Sequence, residues 1–196
     1  MADETGGRRE APSTSPILEL RKVSKSFGAV QALYEVDFHV APGEVMALVG
    51  DNGAGKSTLI KCIAGIHPID EGEIVFDGEQ VTIHGPKDAA RLGIEVVYQD
   101  LALCDNLDVV ENMYLGREAV DNLRRLADAG LGVVLISHNM NDVLQVSDRV
   151  AVLYLGRLAA EVKAKDVSNA QVVELITSGR SGSIGLQPAE AAATTI

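Results

Sequence analysis

The amino-acid sequence predicts an α/β fold: a mainly parallel sheet with flanking helices, preceded by an antiparallel β subdomain. Three observations carry that expectation. The first ordered stretch alternates apolar and polar residues with period two, the pattern of half-buried strands. Val45-Met46-Ala47-Leu48-Val49 is continuously apolar, as a strand covered on both faces must be. From Leu123 onward, short apolar runs alternate with helical stretches.

Taken in order, residues 1–16 are rich in Gly, Ser, Thr, Pro and charge, with no apolar block resembling a signal peptide, and are expected to be a disordered tail. Leu18 and Leu20 alternate with Glu19 and Arg21, and Val36, Phe38 and Val40 with Glu35, Asp37 and His39, giving two strands. Ala41-Pro42-Gly43-Glu44 is turn chemistry before the buried strand. Ser57 to Ile66 places Leu59, Ile60, Ile63 and Ala64 on one helical face. Asp77-Gly78 between Ile74-Val75-Phe76 and Val81 reads as a tight hairpin turn. Pro86 opens a short helix ending at Gly93, Ile94 to Tyr98 is a second apolar strand, and 108–115 is helical. A helix at 123–129 stopped by Gly130, strand Val133 to Ile136, a helix at 142–146 and strand Val150 to Leu155 follow. Ser168 with Gln171 is a capping-box signature for a last helix. One domain over 17–178 is expected, with 179–196 a second disordered tail.

Composition narrows the function. Hydrophobic residues at 46% and charged residues at 23% are those of a globular protein, so the body of the chain can bury a core. A net charge of -11 argues against a nucleic-acid partner, which needs Lys and Arg to neutralise phosphates. Any phosphate must therefore be bound locally. No apolar run approaches the roughly 20 residues of a membrane-spanning helix. Two cysteines without CxxC spacing, Cys62 and Cys104, read as ordinary thiols in a reducing cytoplasm.

A local phosphate site is present. Gly50-Asp51-Asn52-Gly53-Ala54-Gly55-Lys56-Ser57-Thr58 satisfies GxxxxGK[ST] between a buried strand and an amphipathic helix, the setting that marks a P-loop. Glycines allow successive backbone N–H groups to point inward around a phosphate. Lys56 adds a point charge, the helix N-terminus adds its dipole, and the Ser57 hydroxyl is placed to ligate Mg²⁺.

Around this loop the chain resembles the ATP-binding subunit of ATP-binding-cassette (ABC) transporters, of the type that imports simple sugars, with a P-loop NTPase fold. The resemblance covers about 17–177. Val23-Ser24-Lys25-Ser26-Phe27-Gly28 resembles the segment whose aromatic residue stacks on adenine, which implies that role for Phe27. Val96-Val97-Tyr98-Gln99-Asp100 resembles the Q-loop, which implies that Gln99 touches Mg²⁺ and the attacking water. Leu135-Ile136-Ser137-His138-Asn139 resembles the switch segment, which implies that His138 contacts the γ-phosphate. Read alone, Phe27 is a core aromatic, Gln99 a solvated turn residue and His138 a capping or surface histidine. The resemblance further implies ATP and Mg²⁺ as ligands. It implies a transmembrane permease, a second ATPase copy and, indirectly, a periplasmic sugar-binding protein as partners, at the inner face of the cell membrane.

Two family features are missing. No apolar run ends in the Asp-Glu pair (Walker B) that holds Mg²⁺ and polarises water, and no Leu-Ser-Gly-Gly-Gln-like signature occurs. Both belong between Gln99 and His138, where only residues 100–137 lie, and one βαβ unit already takes about 30 residues. The helical signature subdomain and the Walker B strand cannot fit. The resemblance runs cleanly to Glu111 through Glu118 and resumes near Leu123, so an internal deletion with its seam at 119–122 is expected. Asp100 and Asp105 stand at ordinary Q-loop positions and are not expected to replace the lost acids. Poor hydrolysis follows, and the alternatives are a catalytically inactive nucleotide-binding module or a non-functional deletion remnant. A P-loop kinase or GTPase fits the Phe27, Gln99 and His138 contexts less well.

Overall fold

The computed structural model describes residues 15–95 and 121–186. Strands β1 (Leu18–Phe27) and β2 (Val30–Val40) pair antiparallel, with Leu20 opposite Phe38 and Val23 opposite Val36. Their alternation is interrupted by three shifts in register. Lys22 and Glu35 take positive φ angles of 51° and 44°, beside shifts in register. Leu20 and Val23, like Leu33 and Val36, are thus all buried although three residues separate the members of each pair.

Strand β3 (Val45–Gly50) leads through residues 51–55 into helix α1 (Lys56–Ile63). Strands β4 (Glu71–Phe76) and β5 (Glu79–Val81) form the expected hairpin, turning on Asp77 and Gly78 at φ 49° and 79°. Helix α2 (Pro86–Arg91) has its proline in the first turn. After the second described stretch begins, helix α3 covers 121–128 and gives way to a turn at Gly130. Strand β6 (Val133–Leu135), helix α4 (Met140–Val146), strands β7 (Arg149–Tyr154) and β8 (Arg157–Lys163), and helix α5 (Asn169–Ser178) follow. Ser168 and Gln171 close the predicted capping box on α5.

Two four-stranded sheets result. One is antiparallel, in the order β2-β1-β4-β5; the other, β6-β3-β7-β8, is parallel across β6, β3 and β7, with β8 antiparallel at its edge. The unbroken apolar run in β3 is explained by its two faces. Met46 and Leu48 join Leu20, Phe38, Leu59 and Cys62 in the larger core cluster. Ala47 and Val49 join Val143, Val150, Val172 and Leu175 in a second cluster against α4 and α5. Burying a Val, Leu or Phe side chain contributes about 1.5–3 kcal/mol each, so both faces of β3 hold it in place.

Several boundaries differ from the sequence reading. Helix α1 ends at Ile63 rather than Ile66, because Gly65 turns left-handed at φ 71° and Ile66 N–H donates back to Lys61 O at 2.8 Å. Strand β8 was not foreseen. Residues 180–185, expected as tail, form a small hairpin of β9 (Arg180–Ser181) and β10 (Ile184–Gly185). Gly179 ends α5 at φ 73°, and Ser181 Oγ donates to Glu174 Oε2 at 2.6 Å, which ties the hairpin to the helix. The expected absence of a strand does not split the sheet: β6 pairs directly with β3 and, among the described residues, stands at the sheet's edge. The predicted strand at 94–98, beyond residue 95, and the helix at 108–115 lie outside the described residues.

Candidate functional site

The predicted phosphate loop is built from the sheet outward. Strand β3 is buried from Val45 to Val49, which fixes the point where the chain must turn sharply before α1. Gly50 is required there: a Cβ would lie 2.5 Å from Leu153 O in β7. Gly55 is required at the other end. It is the N-cap of α1 at φ 103°, and a Cβ would lie 2.7 Å from Ala32 O. Between them, Ala54 N–H donates to Asp51 O at 3.1 Å, and Ala54 O accepts from Gly156 N–H at 3.1 Å. The loop is thereby seated on β2 and on the turn between β7 and β8.

Lys56 is 8% exposed, and its Nζ donates to Gly50 O at 2.8 Å and Asp51 O at 2.9 Å. The ammonium thus closes the loop across its mouth. Burial pushes its pKa below the usual lysine value, opposed by the Asp51 carboxylate. A buried cation without a carboxylate on it favours an arriving anion. The loop also fits one. Gly53 stands at φ 83° with open space where a Cβ would be. The main-chain amides of Gly53, Lys56, Ser57 and Thr58 have no acceptor among the described residues, and no side chain caps α1. Ser57 is exposed and Thr58 half-buried on the first helical turn. A Ser hydroxyl beside phosphate oxygens is the oxygen donor set that Mg²⁺ takes, with water filling the remaining positions. The residues present therefore fit a nucleotide's phosphates with Mg²⁺.

Phe27 lies at the far end of β1, opposite Val30, in the hairpin whose residues Ala32 and Leu33 abut Gly55. It is not core: 44% of it is exposed. Its ring meets His67 edge to face with centroids 5.0 Å apart, and Lys25 Nζ lies 5.4 Å from its centroid. His138 is exposed just beyond β6. Ala47 is beside Leu135 in parallel register, so Gly50 and His138, each three residues further on, leave the sheet at the same edge. Asn139 caps α4, its side chain accepting from Asn141 N–H at 3.1 Å, which fixes the turn that carries His138. Gln99 lies outside the described residues. The structure thus brings the P-loop and the His138 turn to one edge of the sheet, with the Phe27 hairpin leaning on the loop.

The ABC transporter family model matches residues 33–178, well over half of the chain. The chain belongs to the ABC transporter family. Among its ABC relatives, the xylose/arabinose import ATP-binding protein XylG of Sulfolobus acidocaldarius is 33% identical, covering 88% of this chain and 98% of the relative. The ribose import ATP-binding protein RbsA 2 of Escherichia coli O157:H7 is 30% identical over 84% of this chain. The chain spans 47% of that relative's length. A crystal structure of a nucleotide-free ATP-binding cassette from an ABC transporter superposes with a TM-score of 0.67 at 20% identity, covering 82% of this chain and 98% of the other, which shows the fold.

The two ABC relatives also measure a gap. The XylG alignment has 246 positions but uses 88% of 196 residues, about 172, so about 74 positions have no residue of this chain opposite them. The RbsA 2 alignment has 237 positions and uses about 165 residues, leaving about 72. Agreement between the two supports the internal deletion.

Some supports of the site were not foreseen. Gly156 seats both Ala54 and Tyr34, whose N–H donates to Gly156 O at 2.8 Å, and Arg157 stacks 3.9 Å from the Tyr34 ring centroid. The one sequence signal for this was the turn-forming Gly156. Asp70, which holds Lys25 at 2.6 Å, carried no sequence signal because the two are 45 residues apart.

Proposed function

We propose that this chain is the ATP-binding subunit of a sugar importer that holds ATP with Mg²⁺ but turns it over poorly. One observation carries the reading: a buried ammonium and a row of unpaired amides line the loop. In this reading Gly50, Asp51, Asn52, Gly53, Ala54, Gly55, Lys56, Ser57 and Thr58 surround the phosphate chain. The amides and Lys56 bind it, Ser57 orients toward the metal, Phe27 stacks on the base, and His138 reaches the γ-phosphate. Gln99 would complete the metal and water contacts. Held near Ser57, Mg²⁺ would supply charge neutralisation for the phosphates.

Poor turnover follows from what the sequence lacks. Without the Asp-Glu pair, no general base is positioned, and that loss alone costs about 10²- to 10⁴-fold. Without the signature segment, a second copy cannot cap the γ-phosphate, so closure of two chains around ATP should fail. In this reading the surrounding machinery is a permease at the inner face of the membrane, a second ATPase copy and, indirectly, a periplasmic sugar-binding protein, and the relatives' names as import ATP-binding proteins support the link to import. Among the described residues no helix is long and apolar enough to cross a membrane, as suits a chain that docks on one.

Thermal melting with and without Mg-ATP tests binding, because a ligand of the folded state alone raises the melting temperature. Lys56→Ala should abolish that rise while moving the unliganded melt little, since relief of a buried charge offsets two lost hydrogen bonds. An equal ATP-dependent rise in the variant would place the nucleotide elsewhere. A wild-type chain that unfolds cooperatively yet shows no rise would identify an inactive remnant.

A further inference from the structure

Phe27 would be a poor platform if its hairpin end were free to move, and the structure shows what fixes it. Asp70, just ahead of β4, donates its N–H to Ser24 O at 2.9 Å, so its own backbone is anchored on β1. Its carboxylate then spans the next two residues. Oδ1 accepts from Lys25 Nζ at 2.6 Å, and Oδ2 accepts from the Ser26 amide at 2.7 Å. Lys25 is 8% exposed, and its ammonium is the group 5.4 Å from the Phe27 centroid. Hydrogen bonding to Lys25, then to the Ser26 amide, holds the Asp70 carboxyl below its usual pKa, so it is ionised at neutral pH. His67 also meets the ring, edge to face.

We infer that Asp70 is a positioning residue for base recognition: by clamping Lys25 and Ser26 it sets the Phe27 ring where a nucleotide base stacks, separately from the phosphate loop. This rests on the nucleotide-binding reading above. Among the described residues the clamp makes no hydrogen bond or ion pair with residues 50–58, so its contribution is expected chiefly for ligands that carry a base. A merely structural aspartate would not discriminate in that way.

The test compares Mg-ATP with tripolyphosphate, which offers the phosphate chain and no base, by isothermal titration. Asp70→Ala should weaken ATP about tenfold, within the range of one lost base–aromatic stack, and leave tripolyphosphate within about twofold. In a Phe27→Ala background the same substitution should weaken ATP no further, because the ring it positions is gone. Asp70→Asn, nearly isosteric, keeps an acceptor for Ser26 and should lose about threefold for ATP alone. It carries the test if Asp70→Ala does not fold. Unchanged ATP affinity in these variants, or equal weakening of both ligands, overturns the inference. Wild-type protein that binds both ligands equally well overturns it too. Wild-type protein that binds neither defeats the nucleotide reading itself.

Discussion

Strands β3 and β6 lie side by side in parallel and deliver their C-terminal residues to the same edge, yet they are held very differently. β3 is six residues long, buried at all but its last residue and flanked by β6 and β7. β6 is three residues long, buried only at Leu135, and stands at the edge of the sheet among the described residues. The loop after β3 is closed by Lys56 and seated on β2 and the β7–β8 turn, whereas the turn after β6 is held by local bonds of Asn139 to Ser137, Asn141 and Asp142. The difference teaches that, under the proposed function, phosphate binding and γ-phosphate contact would be separable. The proposed binding half keeps its full support, while the proposed switch half rests on the shorter strand.

Breaking the β3 side should have the largest effect. Gly55→Ala forces a Cβ to 2.7 Å from a backbone oxygen at φ 103°, and strain of this kind costs about 1–3 kcal/mol. The variant should melt several degrees lower and lose its response to Mg-ATP; an unchanged response would show that the loop can reshape. Leu48→Ala, in the same strand, removes a fully buried side chain and should cost about 2–5 kcal/mol by chemical denaturation. ATP affinity of the folded fraction should survive.

On the β6 side the effects should be small. His138→Ala is expected to weaken ATP by about tenfold at most, because one exposed side chain contributes about 0.5–1.5 kcal/mol through a hydrogen bond. ADP affinity should not change at all. A larger loss for ATP would mean that the switch half is better ordered than its short strand suggests.

The smallest effect is on pH. His39 has its pKa lowered by burial and then by the Arg149 guanidinium, whose Nη1 lies 2.9 Å from His39 Nε2. The unfolded chain takes up that proton at higher pH than the folded one, so stability is lost as pH falls below about 6.5, the ordinary histidine value. His39→Gln should flatten the decline in melting temperature below about pH 6.5. An equally steep decline in the variant would assign the dependence to other groups.

The P-loop, its strand and its helix were legible because each has a local signature: a continuous apolar run, GxxxxGK[ST], and a helical apolar face. The Asp77-Gly78 turn and the Ser168–Gln171 cap were legible for the same reason. What the sequence hid was non-local. The clamp of Asp70 on Lys25 joins residues 45 positions apart, and the seat of Ala54 on Gly156 joins β3's loop to a hairpin that periodicity did not announce. Strand β8 was missed because Arg157 to Lys163 mixes charged and small residues at the sheet's edge, where alternation is weak. The hairpin at 180–185 was missed because Gly, Ser and Arg read as tail until Ser181 finds Glu174.

Binding without turnover is tested most directly by incubating the purified chain with a slight excess of Mg-ATP for an hour and analysing the nucleotide that remains bound. Intact ATP, near one per chain and absent from Lys56→Ala, is the expected result. Accumulated ADP over many turnovers, or no retained nucleotide in a cooperatively folded wild-type sample, would contradict it.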